Sequence, residues 1–165
     1  MSSLTNDLRS TKEELLQSAA SLTENNIDKV PFEGSWTAGQ LLEHVDKAVS
    51  PGLLQGKVQA SNRAADEKVA QLKNIFLDFN TKMKSPGFIE PTETTHDKST
   101  LMDSLSGKFD ELISAAETMK LDEECLDFEV PGMGKFTRYE WISFYMIHTQ
   151  RHIHQLKKIV SALEG

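Results

Sequence analysis

The spacing of the apolar residues constrains the fold of this chain more than any other feature. Leu8, Leu15, Ala19 and Leu22 share one face of a helix, and similar steps of three and four residues return along the chain. We predict helices over residues 5–24, around Leu41 to Val49 with a stop at Pro51-Gly52, and over residues 62–84, 99–120 and 138–163. No strand pattern competes, so the sequence predicts an all-α fold.

Two of these helices carry a start signal that fixes their register. Thr37 is followed three residues later by Gln40, and Thr137 is followed by Glu140. This is the spacing of a capping box, in which the hydroxyl and the longer side chain each bind a free backbone amide of the helix start. The polar links VPFEGS and SPGFIEPTETTHDK, the latter over residues 85–98, separate helices. A length of 165 residues then suits one helical bundle domain over residues 1–165.

The charge of the chain limits the classes of partner that it can bind. A net charge of -7, a pI near 5.2 and dispersed lysines argue against nucleic acid, which needs a basic face. No stretch reaches the roughly 20 apolar residues of a membrane span, and the start MSSLTNDLRSTKEELL lacks a signal-peptide core. We expect a cytoplasmic protein. The single Cys125 suits a reducing compartment and is either structural or a reactive thiol.

Three of the five histidines lie in HTQRHIHQL, residues 148–156. At about 100° per residue, His148 and His152 share the apolar face of the last helix, and His154 points about 200° away from His152. Two imidazoles four residues apart can chelate one divalent ion. A third ligand has to come from another helix, and His44 is the obvious source, while His96 lies in a polar link. Spacing alone leaves two interpretations open: metal ligands, or histidines that hydrogen-bond other core groups.

Two blocks of the sequence resemble a known family. SWTAGQLLEHVDK and FYMIHTQRHIHQLKKI are similar to the two motif-bearing helices of the DinB-like (DinB/YfiT) superfamily of metal-dependent enzymes. The resemblance implies a four-helix bundle with an up-down-down-up course and an additional helix in the long crossover, for which the 48 residues from Pro51 to Lys98 leave room. It also implies a divalent ion, most often zinc or nickel, held by His44, His148 and His152.

Three histidines leave a coordination position open, which is typical of a catalytic site. The resemblance implies an enzyme acting on a small molecule, either by hydrolysis or by transfer that depends on a low-molecular-weight thiol. Glu43 and Gln40 are the only candidates for a general base. Glu43 is expected to be solvated, because it lies about 100° round the helix from His44. Gln155 is a candidate for orienting His148 or a bound water.

A second interpretation, in which the chain has no catalytic activity, also remains open. A metal at the centre of a helical bundle can stabilise an interaction module that turns nothing over. The last helix carries Ile142, Met146, Ile147 and Ile153 beside its main apolar stripe. These side chains either pack against further helices or form the seam of a homodimer.

Overall fold

The fold is mostly helical. A computed structural model describes residues 3–83, 87–92 and 94–164. Its helices are α1 (Ser3–Ser18), α2 (Ala38–Ala48), α3 (Val69–Phe76), α4 (Lys98–Thr118) and α5 (Arg138–Glu164), with 3-10 turns at Pro51–Gln55 and Gly87–Ile89. Strands β1 (Val58–Gln59) and β2 (Glu124–Cys125) form a small antiparallel ladder. The predicted all-helical class is confirmed, with this ladder as an addition that the apolar spacing did not indicate.

Helix α5 lies at the centre of the packing. It contacts α1, α2 and α3, while α4 packs against α1 and α2. Apart from Ile89, the buried apolar residues of the described chain form one connected cluster. The crossover between α2 and α4 contains α3, as expected for the additional helix. The up-down-down-up course and the single domain over residues 1–165 stay predictions, and residues 1, 2 and 165 lie outside the described part.

Both predicted capping boxes are present. Thr37 and Gln40 exchange hydrogen bonds of 3.0 and 3.1 Å between side chain and backbone, and Thr137 and Glu140 do the same at 2.9 and 3.1 Å. Each box satisfies two amides that the helix start would leave unpaired. Because the boxes fix where α2 and α5 begin, they also fix the faces on which the histidines of these helices lie.

The prediction of a helix over residues 62–84 was wrong at its start, and helix α3 also ends earlier than expected. The chain before α3 is held in turns because the Lys68 amide donates to the Glu140 carboxylate, 2.7 Å away. After Phe76 the guanidinium of Arg151 binds the Phe76 and Asp78 carbonyls at 3.1 and 3.0 Å, which replaces their helical partners. The predicted end at residue 84 lies outside the described residues.

Of the predicted seam of this helix, Leu72 is buried, whereas Phe79 and Met83 are exposed. Helix α1 is likewise shorter than its predicted range of 5–24, because the chain turns after Ser18 and buries Leu22 and Ile27 from the loop and turns that follow.

The second apolar set on α5 is covered by the chain itself. Ile142, Met146, Ile147 and Ile153 are all buried, so they pack against other helices of this chain and are not exposed as a seam. A homodimer therefore remains a prediction, and these four residues do not support it. Within the described ranges, no helix combines the length and the apolar character that crossing a bilayer requires.

Candidate metal centre

The structure brings together the three histidines expected to bind a metal. His44 comes from α2, and His148 and His152 come from successive turns of α5. The Nε2 atom of His152 lies 3.1 Å from Nε2 of His44 and 3.3 Å from Nε2 of His148. The three side chains each offer one nitrogen, and these atoms all lie within 4.8 Å of one another. This is a cluster that could hold a metal ion.

The outer nitrogens show which way the rings are protonated. His44 Nδ1 lies 2.9 Å from the Ile89 carbonyl oxygen, and His152 Nδ1 lies 3.0 Å from Gln155 Oε1. Both oxygens accept, so both Nδ1 atoms carry the proton and both neutral rings present a lone pair on Nε2. Two lone pairs facing each other at 3.1 Å repel unless a cation lies between them. The geometry therefore fits a positive ion.

The neutral form of these rings is also favoured by burial. His44 and His148 are only 3% and 8% exposed. The rings of Trp36, Phe144 and Phe76 lie within 5.1, 5.7 and 6.0 Å of a cluster ring, measured between centroids. Burial lowers the pKa of His44 and, together with the neighbouring His152, holds the pKa of His148 well below its ordinary value. It lowers the pKa of His152 to about 3. Metal binding needs neutral imidazole, so these rings are prepared for it.

Gln155 has the kind of role that the sequence suggested but a different partner. Its amide oxygen binds His152, not His148. The Nδ1 atom of His148 is buried and has no hydrogen-bond partner among the described residues. A buried donor left unpaired costs about 1–3 kcal/mol, which is offset if the opposite nitrogen gains a strong ligand.

Neither candidate base is free to act. Glu43 was expected to be solvated, but its side chain is only 13% exposed and binds Lys47, His96 and Thr92. Burial alone raises the pKa of this carboxyl, yet these hydrogen bonds outweigh it and lower the pKa to about 2. The Gln40 side chain serves its capping box and donates to the Thr92 carbonyl. Neither group is therefore available as a general base.

The remaining candidates lie outside the cluster. His154 points away as predicted, and its ring stacks on Phe79 with centroids 4.0 Å apart. His96 lies between two carboxylates, Asp28 and Glu43. Cys125 is buried, and burial raises the pKa of its thiol to about 11, which suits the structural interpretation and not a reactive thiol.

Two groups of this site were missed in the sequence. The Ile89 carbonyl is a backbone group, so its residue type gives no signal. Asp28 and His96 are separated by 67 intervening residues, and only the folded chain shows that they meet. The contact of Trp36 with the ring of His44 could have been inferred, because Trp36 directly precedes Thr37, the cap of the helix that carries His44.

Comparison with known proteins shows the family of the chain. The sequence model of the DinB superfamily matches residues 7–156. The uncharacterized protein YuaE of Bacillus subtilis (strain 168) is 24% identical over 143 residues, which cover 87% of this chain and 88% of YuaE. No solved structure matches the chain significantly. The family match spans both helices that carry the three histidines, and the chain belongs to the DinB superfamily.

Proposed function

We propose that this chain is a metal-dependent enzyme in which His44, His148 and His152 hold a divalent ion, zinc or nickel, and leave a position open for a small-molecule substrate. The observation that carries the proposal is the convergence of three Nε2 atoms, two of which have their opposite nitrogen tied to an oxygen acceptor. Three neutral ligands with an open position are the arrangement of catalytic zinc sites.

The surroundings favour thiol-dependent transfer over hydrolysis. Among the described residues no carboxylate joins the histidine cluster, and Glu43 and Gln40 are engaged elsewhere. Hydrolysis draws on a general base near the reacting water, whereas a divalent ion by itself deprotonates a coordinated thiol. Neutral imidazoles leave the ionic charge uncompensated, so the site favours an anionic ligand such as the thiolate of a low-molecular-weight thiol. We infer that the thiol gives its proton to solvent and that its sulfur forms a bond to an electrophilic carbon of a small molecule, while the bond from that carbon to a leaving group breaks and the leaving group departs with the electron pair.

The first test is metal binding by untagged protein. At a free zinc or nickel concentration of about 100 times Kd, binding stabilises the fold by about 2.7 kcal/mol, and we expect the melting temperature to rise by roughly 5–10 °C. The His148→Ala variant is expected to lose this rise. His154→Ala is the matched control, because His154 lies on the same helix but outside the cluster. No rise in the wild-type protein would contradict the proposal.

The second test separates the reactions. Metal-loaded protein is assayed with low-molecular-weight thiols paired with electrophiles, and in parallel with a panel of ester and amide substrates. We expect turnover only with the thiol, and its loss in His148→Ala. Turnover of the ester or amide panel would assign a hydrolase. A bound metal with no turnover in either panel would support a metal-stabilised interaction module instead.

Gln155 gives a graded test of the same centre. Its oxygen holds the His152 ring through Nδ1, and removing a partner of this kind costs about 10–100-fold in metal affinity. We expect Gln155→Leu to weaken zinc binding by about that factor without unfolding the chain, as measured by competition with a chromophoric chelator. Unchanged affinity would show that the amide does not orient the ring.

A further inference from the structure

The acceptor of His44 belongs to a segment that crosses one face of α2. We call residues 89–92 and 94–96 the strap. Four α2 side chains, spaced so that they share one face of the helix, bind the strap. Gln40 donates to the Thr92 carbonyl at 3.2 Å, and Glu43 accepts from the Thr92 amide and hydroxyl at 3.0 and 2.8 Å. His44 donates to the Ile89 carbonyl at 2.9 Å, and Lys47 donates to the Glu90 carbonyl at 2.9 Å. The proposed ligand His44 is thus one of four groups that bind the strap.

The far end of the strap is fixed by His96. Its Nδ1 donates to Asp28 at 2.5 Å and its Nε2 donates to Glu43 at 2.7 Å, and its backbone amide binds Asp28 at 2.8 Å. The His96 side chain is 5% exposed. Since both ring nitrogens face carboxylates, the ring is held as an imidazolium. Burial opposes this charge, but the two carboxylates outweigh burial and raise the pKa of His96.

The packing around His96 leaves no spare room. A Cβ atom added at Gly39 would come within 2.6 Å of Nδ1 and 2.8 Å of Cβ of His96. Real Cβ contacts are not this short, and the Cβ of His96 cannot move without its backbone. Glycine at position 39 therefore allows His96 to lie directly against α2.

We propose that His96 is a positioning residue for the three-histidine centre: by joining Asp28 to Glu43 it holds the strap so that the Ile89 carbonyl fixes the ring of His44. This inference rests on the proposed function. The strap defines the tautomer of His44, because an acceptor at Nδ1 leaves the lone pair on Nε2. Without a fixed strap, His44 can rotate or take the other tautomer, and the three Nε2 atoms no longer converge.

The test uses Co²⁺ as the probe, because its visible absorption reports ligand geometry. We expect His96→Leu to weaken Co²⁺ binding by about tenfold, within the range found for outer partners of metal ligands, and to alter the absorption bands. His96→Gln keeps one donor and is expected to fall between His96→Leu and wild type. Gly39→Ala, which displaces His96 without changing a charge, is expected to act in the same direction.

Arg63→Met is the control for general destabilisation. Arg63 binds Glu140, which lies eight residues before His148, about 12 Å along α5 at about 1.5 Å per residue. This variant is expected to lower the melting temperature while its Co²⁺ affinity and bands stay at wild-type values. Equal losses in Arg63→Met and His96→Leu would overturn the positioning role.

A measurement on the unaltered chain covers the case in which His96→Leu does not fold. Coupling between two sites is reciprocal, so Co²⁺ is expected to slow hydrogen exchange at the strap amides, including Thr92 and His96. Identical exchange with and without metal would overturn the inference. If the wild type binds no Co²⁺, the proposed function itself fails. If it binds Co²⁺ and the His96 and Gly39 variants match it, only the positioning role fails.

Discussion

Replacing Arg63 by methionine is expected to lower the free energy of unfolding by about 3–5 kcal/mol, because it leaves a buried carboxylate without its cation. Glu140 is fully buried and accepts two bonds from the Arg63 guanidinium, at 2.7 and 2.8 Å. The backbone amides of Lys68 and Thr137 complete its shell. These two amides remain in the variant, but they do not neutralise the charge.

The size of this effect follows from burial, so an exposed pair serves as control. Lys157 and Glu14 also form a close ion pair at 2.6 Å, but both side chains are half exposed or more. Exposed pairs contribute about 0–1 kcal/mol, so Lys157→Met is expected to change little. In a chain of this length, 3–5 kcal/mol corresponds to a melting temperature lower by roughly 6–20 °C. A loss no larger than that of Lys157→Met would contradict the buried-charge argument.

A double substitution separates the charge from the packing of the arginine stem. Adding Glu140→Gln to Arg63→Met removes the unpaired charge, so part of the lost stability is expected to return. Glu140→Gln alone leaves Arg63 with Glu124, which accepts from its Nε at 3.1 Å. If the double variant is as unstable as the sum of the single variants, the ion pair is not the source of the effect.

The helices whose registers are set by neighbouring residues were predicted well. Helix α5 begins after Thr137 and α2 begins after Thr37, where capping side chains three residues apart act locally. Helices α4 and α5 begin and end within two residues of their predicted ranges of 99–120 and 138–163. Local signals of this kind are readable because cause and effect lie within one helical turn.

Helix α3 shows what such signals leave out. Its apolar spacing continues to Phe79 and Met83, yet the helix ends at Phe76. The carbonyls that would continue it are bound by Arg151, 70 residues or more further along the chain. Exposed apolar residues in good helical spacing thus gave a pattern that tertiary hydrogen bonds overrode.

The metal candidates were predictable in part for the same reason. His148 and His152 are four residues apart on one helix, so their common face could be derived from spacing. His44 was the obvious third candidate on another helix, and the resemblance to the family implied the same residue, but only the packing of α2 on α5 could test it. The strap contacts of His44 were not predictable, since Ile89 contributes a carbonyl and His96 acts through two carboxylates distant in sequence.

The metal-free protein is expected to lose stability when the pH falls from 7.5 to 5.0, and His152 alone accounts for about 2 kcal/mol. Burial, with His44 beside it, lowers the pKa of His152 to about 3 in the folded chain, while the unfolded chain has the ordinary value near 6.5. Below pH 6.5 the unfolded state therefore binds a proton that the folded state does not. Stability is complete above pH 6.5 and is lost as the pH falls, and His148 adds to the loss with the same sign.

The part of this range below pH 6.5 separates the cluster from the other titrating groups. His96 has a raised pKa, so its stabilising contribution is complete below about pH 6.5 and is lost as the pH rises; from pH 7.5 to 6.5 it opposes the slope of the cluster, and further below pH 6.5 it adds little. Glu43 has a lowered pKa of about 2, so its stabilisation is lost only as the pH falls through about 4.5 and below. Denaturant unfolding in the presence of a chelator at pH 7.5, 6.5, 5.5 and 5.0 measures the slope. The variants His148→Leu and His152→Leu should each flatten it, and an unchanged slope in both would refute the assignment.

Zinc then distinguishes rings that are already neutral from rings that the ion has to deprotonate. Protons compete with the metal for the nitrogen of an ordinary imidazole, so each such ligand lowers the metal affinity about tenfold per pH unit below 6.5. In this chain burial keeps His148 and His152 neutral before the ion arrives. The zinc affinity of the folded protein is therefore expected to fall by less than about tenfold per pH unit from pH 7.5 to 5.0, because only His44, whose pKa burial also lowers, is left to exchange a proton for the ion. An affinity that falls by about a hundredfold per pH unit would show instead that two histidines are protonated before they bind.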